Sequence, residues 1–147
     1  MATVNIYLNF PGNTEEAFLF YKSVFGTEFY GEGIMRFKDV PPSDNIPPFP
    51  ESVADKVMHV GLPMLGGHML MGSDACKEMG FNVTMGNNMY INLQPDTREE
   101  TRKLFKALAE GGSVEQELQN MFWGDYYGAC IDKFGMKWMF NCSEKKE

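Results

Sequence analysis

The strongest constraint on the fold is an internal repeat, in which one pattern of strand, proline and helix recurs after 84 residues. The first copy contains Val4–Phe10, whose alternating apolar and polar residues are typical of a strand with one buried face, followed by Pro11. The second copy contains the similar stretch Tyr90–Gln94, followed by Pro95. Because the strand, the turn and the helix align without a gap, the chain is predicted to contain one module twice.

Each proline is followed by a segment whose apolar residues form a single helical stripe. In the first copy we expect Asn13 to cap the helix and Glu16 to reach back in a capping box. In the second copy the expected cap is Asp96 or Thr97. The helices are expected to end at glycines, namely Gly26, Gly111 and Gly112.

Each half of the chain also ends in a pattern that predicts a β-hairpin. The first has a Gly66-Gly67 turn signal followed by the apolar stretch Met69–Met71. The second has Phe134-Gly135 followed by Lys137–Phe140. A further strand is predicted over Phe29–Phe37 in the first half, so each module reads as β-α-β-β-β.

The predicted fold class is therefore α+β. Two tandem β-α-β-β-β modules form a curved mixed or antiparallel sheet of roughly eight strands around a concave pocket, with the helices outside. The first module is expected at 1–73, a linker at 74–88 and the second module at 89–147, together making a single domain. A small-molecule ligand is expected on the concave side.

The segment Pro41–Pro50 contains five prolines in ten residues, which excludes a helix or a central strand. Two interpretations of this surface loop remain open. It is either a simple connector or a lid over the pocket, because long loops are enriched in function.

Composition excludes several partners and sites. Thirteen Lys and Arg against twenty Asp and Glu give a net charge of −7, which disfavours nucleic acid and anionic membranes. Three cysteines without C-x-x-C spacing disfavour a disulfide framework and a structural zinc site. The first residues show no signal-peptide pattern, and no apolar run approaches the length of a membrane span, so a cytoplasmic location is expected.

Five segments, in this order along the whole chain, resemble the vicinal oxygen chelate superfamily, which includes glyoxalase I, bleomycin-resistance and fosfomycin-resistance proteins and extradiol dioxygenases. More narrowly they resemble its PhnB-like branch. The segments are Leu8-Asn9-Phe10-Pro11-Gly12-Asn13, Ala17–Gly26, Asp55-Lys56-Val57-Met58-His59, Leu70-Met71-Gly72-Ser73-Asp74 and Phe122-Trp123-Gly124-Asp125-Tyr126-Tyr127-Gly128. The resemblance implies paired β-α-β-β-β modules and a homodimer.

The resemblance also implies where a metal would be bound. Enzymes of this superfamily place His, Gln or Glu on the first and last strands of each module. The corresponding positions here lie near Asn5, Met71, Met89 and Met139. Because thioethers satisfy neither hard cations nor zinc, nickel or iron, no metal tetrad and no cofactor are predicted. A divalent metal stays possible, with His59 as the one plausible ligand.

The pocket is expected to contain the residues at these strand positions and their neighbours. The candidates are Asn5, Tyr7, His59, Met71, Trp123, Asp125 and Met139. His59 lies in an alternating strand and is either a ligand contact or a histidine satisfied within the sheet. Trp123 is either core or pocket rim, and Asp125 either caps a turn or contributes to the pocket. His68 is expected in an exposed turn, and Cys130 is expected to be buried and inert.

Three functional hypotheses follow. The first is a protein that binds an unidentified small molecule in an apolar cavity lined by Met and aromatic residues. The alternative is a metal-dependent lyase, isomerase or oxidoreductase, or a resistance-type transferase, of the same superfamily, and the catalytic residues are unknown. The third is a structural dimer whose own side chains fill the cavity. The methyltransferase description common in this branch has no support, because no strand leads into a glycine-rich turn.

Overall fold

The computed structural model describes residues 1–145, which fold as two compact units, 1–84 and 85–145. The first unit contains β1 (Ile6–Phe10), α1 (Thr14–Phe25), β2 (Met35–Arg36), β3 (Val57–Pro63) and β4 (Met69–Asp74). The second unit contains β5 (Ile91–Leu93), α2 (Arg98–Ala109), β6 (Ser113–Asn120), β7 (Tyr126–Ile131) and β8 (Lys137–Cys142). Neither helix in the described part of the chain has the length and apolar character needed to cross a membrane.

The first unit is a four-stranded sheet in the order β1-β4-β3-β2, with α1 packed on one face. β1 runs parallel to β4, and the other neighbours are antiparallel. Leu8 and Leu70 are buried beneath the helix. Gly72 lies on the same face, where an added Cβ would be 2.5 Å from the Phe18 ring, so this glycine allows the helix to approach closely.

The second unit repeats this arrangement, with strand order β5-β8-β7-β6 and β5 parallel to β8. Trp138, Phe140 and Leu108 are fully buried between the sheet and α2. The Phe105 and Phe140 rings meet edge to face at 5.4 Å, which fixes the side of the sheet that the helix covers.

These two units confirm the predicted duplication, since α2 begins and ends 84 residues after α1. Gly26 ends α1 in the left-handed conformation, and the Thr97 hydroxyl caps α2 by accepting a hydrogen bond from the Glu100 amide. Asn13 occupies the N-cap position of α1, as predicted, but its side chain makes no cap bond, so that part of the prediction is wrong. The Asp74 carboxylate at the end of β4 instead accepts the amide of Thr14, the first residue of the helix, at 3.0 Å.

The strand predictions need three corrections. The expected strand Phe29–Phe37 is reduced to the two residues of β2, because Gly31 and Gly33 adopt positive φ and turn the chain before it. The second module was predicted to contain a strand between its helix and its terminal hairpin, but β6 was not located, since its polar sequence has little apolar alternation. The eight strands also form two sheets of four rather than one sheet of eight.

The proline-rich segment is a loop, as predicted, and its end packs against the first unit. The Phe49 ring lies 4.9 Å from the Phe37 ring, next to a small cluster that includes Val53 and Cys76. Asp74, expected to begin the linker, is buried as the last residue of β4, and the boundary between the two units falls after Thr84.

Candidate functional site

Each sheet has one face that its helix does not cover, here called the open face. In the first unit this face carries Tyr7 of β1, which lies opposite Met71 of β4, and Met71 in turn lies opposite Gly61 of β3. Tyr7 is 49% exposed and Met71 is half-buried. An apolar and aromatic surface left partly open in this way is typical of a binding surface.

A phenol and an imidazole meet on this open face. The Tyr7 hydroxyl lies 3.3 Å from Nδ1 of His59, and the two rings are 5.8 Å apart. If Tyr7 donates to Nδ1, the neutral imidazole carries its proton on Nε2 and can donate it to a ligand. His59 thus lies next to Tyr7, a hydrogen-bond partner that was not predicted, and its role as a ligand contact stays a prediction.

Asn5 and His68 lie at the edge of the first unit. The Asn5 carboxamide accepts a hydrogen bond from the Met69 amide at 3.1 Å, so it holds the chain before β1 against β4. His68 is exposed in the hairpin turn, as predicted, with Nδ1 3.3 Å from the Val4 carbonyl oxygen.

The open face of the second unit contains Met139, which lies opposite Ala129 of β7 and Asn92 of β5. Two residues further along β8, Asn141 lies opposite Tyr127. Met139, Tyr127 and Asn141 are half-buried and Asn92 is exposed. This face thus combines a thioether and an aromatic ring with two carboxamides.

Trp123 and Asp125 are joined through Asn141. The Asn141 amide nitrogen donates to the Asp125 carboxylate at 2.8 Å, and the Trp123 indole nitrogen donates to the Asn141 oxygen at 3.4 Å. Trp123 is 47% exposed, so the interpretation of this residue as core is wrong. The structure brings together two predicted site residues and adds Asn141, which the sequence analysis missed because strand register is not visible in a single sequence.

A charged group on the second unit was also missed. Lys137 donates to the Glu115 carboxylate at 2.8 Å, and the Tyr90 hydroxyl donates to its other oxygen at 3.0 Å. The hydrogen bond from Lys137 lowers the pKa of Glu115, and the same bond raises the pKa of Lys137. Burial raises the pKa of Tyr127, and the neighbouring Tyr90 and Glu115 raise it further, so its phenol is neutral at physiological pH.

The three cysteines are buried, and none is paired in a disulfide. Burial raises the pKa of Cys130 to about 12, with Asp132 and Glu115 adding to the shift. A thiol with so little thiolate is a poor nucleophile. The sequence-based expectation that Cys130 is buried is therefore confirmed, and the position and pKa of this thiol are those of an inert residue.

The proline-rich loop borders a half-open cavity of about 340 Å³ in the first unit, lined by its prolines together with Phe37 and Phe49. This volume lies within the range of small-molecule pockets. The lining contains no residue of β1, β3 or β4, so the cavity is separate from the open face that carries Tyr7 and Met71.

The donor atoms at the expected ligand positions do not fit a divalent metal. Met71 and Met139 lie on open faces, Asn5 bonds the backbone, and Met89 precedes β5 with 72% of its surface exposed. Over residues 1–145, no group of three or more His, Cys, Asp and Glu side chains is arranged to hold an ion. One imidazole and thioethers do not make a site for a hard or borderline cation.

Comparison with known proteins identifies the family. The family model described as 3-demethylubiquinone-9 3-methyltransferase matches residues 2–140, which is nearly the whole chain. The crystal structure of protein PA1353 from Pseudomonas aeruginosa is 36% identical, with a TM-score of 0.79 and coverage of 97% of this chain and 98% of that one. The PhnB protein from Bacillus cereus is 25% identical, with a TM-score of 0.72 and coverage of 96% and 99%.

A more distant likeness supports the fold. A glyoxalase/bleomycin resistance protein/dioxygenase family enzyme from Burkholderia phytofirmans is 18% identical, with a TM-score of 0.59 and coverage of 94% of this chain and 97% of that one. Three observations point to the same family. They are the two βαβββ units of the same strand order, the family match over nearly the whole chain and the similar solved structures. The chain belongs to the family described as 3-demethylubiquinone-9 3-methyltransferase, it is similar to a PhnB protein, and it shares its fold with glyoxalase/bleomycin resistance/dioxygenase proteins.

Proposed function

We propose that this protein binds a small organic molecule against the open face of a sheet, and each unit offers one such face. The observation that carries the proposal is that both units leave one sheet face uncovered, with thioether and aromatic side chains partly exposed. Met71 and Tyr7 form this surface in the first unit, and Met139 and Tyr127 form it in the second. Small-molecule sites are mostly apolar, with a few polar groups that orient the ligand.

The polar groups differ between the units, so each open face would orient a ligand in its own way. The first unit offers the imidazole of His59 beside the Tyr7 phenol. The second offers the carboxamide of Asn141 and the carboxylate of Asp125, both half-buried. The methionines would allow the surface to adapt its shape, because the thioether side chain is unbranched and polarizable.

Ligand binding is expected to raise the midpoint of thermal unfolding. A compound at about 100 times its Kd stabilises the folded state by roughly 2.7 kcal/mol if it does not bind the unfolded chain. We expect hits from a panel of aromatic and apolar compounds in a thermal-shift measurement. Met71→Lys and Met139→Lys should each weaken the hits, because they place a charge on an open face.

Leu19→Lys is the matched control, since Leu19 is 50% exposed on α1 and the change has the same chemistry outside the open faces. The control should retain every hit. A panel without a hit, or two open-face variants that bind as the parent does, would argue against the proposal.

We propose further that binding requires no divalent ion. The support is the donor chemistry of Met71, Met139 and His59, which offer thioethers and a single imidazole nitrogen where such ions need several oxygen and nitrogen donors.

Protein purified without chelator is accordingly expected to contain far less than one equivalent of Mn, Fe, Co, Ni, Cu or Zn by plasma mass spectrometry. The unfolding midpoint should also stay unchanged when ZnCl₂ or NiCl₂ is added. A stoichiometric ion that disappears in His59→Ala but is retained in Asn9→Ala, the control at an exposed residue of the same sheet, would overturn the metal-free proposal.

We do not extend the methyl transfer named in the family description to this chain. Binding of S-adenosylmethionine typically uses a glycine-rich turn between a strand and a helix. The turn after β1 contains one glycine, Gly12, and the turn after β5, Pro95-Asp96-Thr97, contains none. Titration calorimetry with S-adenosylmethionine tests this point directly.

A further inference from the structure

Three aromatic rings cluster at the tip of the β6–β7 hairpin. The Phe122 and Trp123 rings are 4.9 Å apart and 88° to one another, and the Trp123 and Tyr127 rings are 6.0 Å apart at 70°. Because the ring planes are steeply inclined to one another, their faces point in different directions. This geometry differs from the parallel stacking that would cover one ring with the next.

The cluster is open to solvent. Phe122 is 97% exposed and Trp123 is 47% exposed, while Trp138 in the same unit is fully buried. The hairpin turn holds the exposed pair in place, because the Gly124 amide donates to the Met121 carbonyl at 2.9 Å and the Met121 amide donates to the Asp125 carbonyl at 2.9 Å. Neighbouring exposed aromatic residues of this kind mark sites for ligands or partners.

A carboxylate stands beside these rings. Asn141 donates to one oxygen of Asp125 and accepts from the Trp123 indole, so a single carboxamide fixes the carboxylate relative to the ring. Among the ion pairs formed by residues 1–145, none includes Asp125. Aromatic faces and an acidic group together attract cations.

The same unit already holds one ammonium group in this way. The Lys137 ammonium lies 4.7 Å from the centre of the Tyr90 ring and 2.8 Å from the Glu115 carboxylate. Lys137 and Met139 are alternate residues of β8, so Lys137 lies on the open face with Met139. The open face of the second unit therefore already holds a cation between an aromatic ring and a carboxylate.

We propose that Trp123, Tyr127 and Asp125 bind an organic cation, specifically an alkylated ammonium group. This inference rests on the proposed function and names the ligand class for the second unit. The ring faces would supply cation–π attraction, and Asp125 would supply a charge that a neutral ligand does not use. The net charge of −7 favours the approach of a cation.

The test compares choline with 3,3-dimethylbutan-1-ol, its neutral analogue of the same shape, on the full chain at low ionic strength. Choline is expected to bind about fivefold tighter or more, because the cation–π and carboxylate interactions need the charge. Choline should also change the tryptophan emission in a saturable way, since Trp123 is exposed while Trp138 is buried.

Variants locate the site. Asp125→Asn keeps the shape of the side chain and is expected to weaken choline binding about fivefold in titration calorimetry, with little effect on the neutral analogue. Trp123→Leu should abolish the preference for choline. The matched control is Asp96→Asn, which removes the same charge from an exposed position of the same unit and should bind choline as the parent does.

Three results would overturn the inference. Equal affinity for choline and its neutral analogue would mean that the cluster is only apolar, and no choline binding alongside hits from the neutral panel would also reject it. Either outcome leaves the proposed function intact. The third result combines two observations. The parent would be a dimer by light scattering without a preference for choline, and Trp123→Leu would be a monomer. The cluster would then be an interface between copies of the chain.

Discussion

Replacing Asp74 by alanine is expected to lower the free energy of unfolding by roughly 2 to 4 kcal/mol. The Asp74 carboxylate is 4% exposed and accepts two backbone hydrogen bonds, from Thr14 at 3.0 Å and from Val57 at 2.8 Å. It thereby joins the end of β4 to the first residues of α1 and β3. Alanine would leave both amides buried without an acceptor, and the loss of a buried partner costs more than the loss of a solvated one.

Urea unfolding followed by circular dichroism measures this change, and Asn13→Ala provides the contrast. Asn13 is the cap that local sequence rules select, but its side chain makes no cap bond and its oxygen is buried without a hydrogen-bond partner. The Asn13 variant should therefore stay within about 0.5 kcal/mol of the parent. A cost for Asn13→Ala equal to that for Asp74→Ala would mean that the local rule describes the cap correctly.

Local sequence rules succeed wherever the relevant partners are close along the chain. The bounds of both helices follow from an apolar stripe, and the Thr97 cap bonds an amide only three residues away. The Gly26 end of α1 likewise depends on one residue's own conformation. Asp74 lies 60 residues from the amide it caps, so no window of local sequence could have identified it.

The predicted strands fail where the physical signal is weak. β6 alternates little in polarity and its residues are mostly exposed, so its existence depends on pairing with β7 rather than on a buried face. Over Phe29–Phe37 the aromatic residues favour a strand, but Gly31 and Gly33 turn the chain at φ values of 67° and 94°. Only two residues before Phe37 remain in strand geometry.

The candidate site could be predicted in part, because alternation along a strand assigns residues to faces. That rule assigned His59 to one face of its strand, whereas Met71 and Met139, which lie on open faces, were chosen from the family resemblance. It could not pair Asn141 with Asp125, since the register between strands depends on the folded sheet. Trp123 was ambiguous because large aromatic residues are usually buried, and only the hairpin geometry resolves its exposure.

The two modules have kept one topology while their open faces have become different. Tyr7 and His59 give the first face a phenol hydrogen-bonded to an imidazole, whereas Asp125 and Asn141 give the second a carboxylate fixed beside an indole. Identical strand orders show that the scaffold does not require either set. Any difference in what the two faces recognise would therefore depend on these few side chains.

Gly112→Ala is expected to lower the free energy of unfolding by roughly 3 kcal/mol or more. We also expect it to remove the choline-dependent change in tryptophan emission that is proposed for the second unit. An added Cβ would overlap the Ile131 carbonyl oxygen and lie 2.8 Å from the carbonyl carbon of Asp132. Both atoms belong to the backbone, so no side chain can rotate away. The clash separates the start of β6 from the end of β7, where Ser113 pairs with Ile131. The same hairpin carries Trp123 at its tip.

Gly86→Ala is the control for this change, because an added Cβ there would meet only the Asn88 side chain, at 3.4 Å, and Gly86 has no positive φ. It should unfold within about 0.5 kcal/mol of the parent. If Gly112→Ala proved as stable as the control, β6 would have to pair with β7 in another register. The emission of Trp123 would then report the shift, since the hydrogen bond from its indole to Asn141 depends on the hairpin that this glycine allows to close.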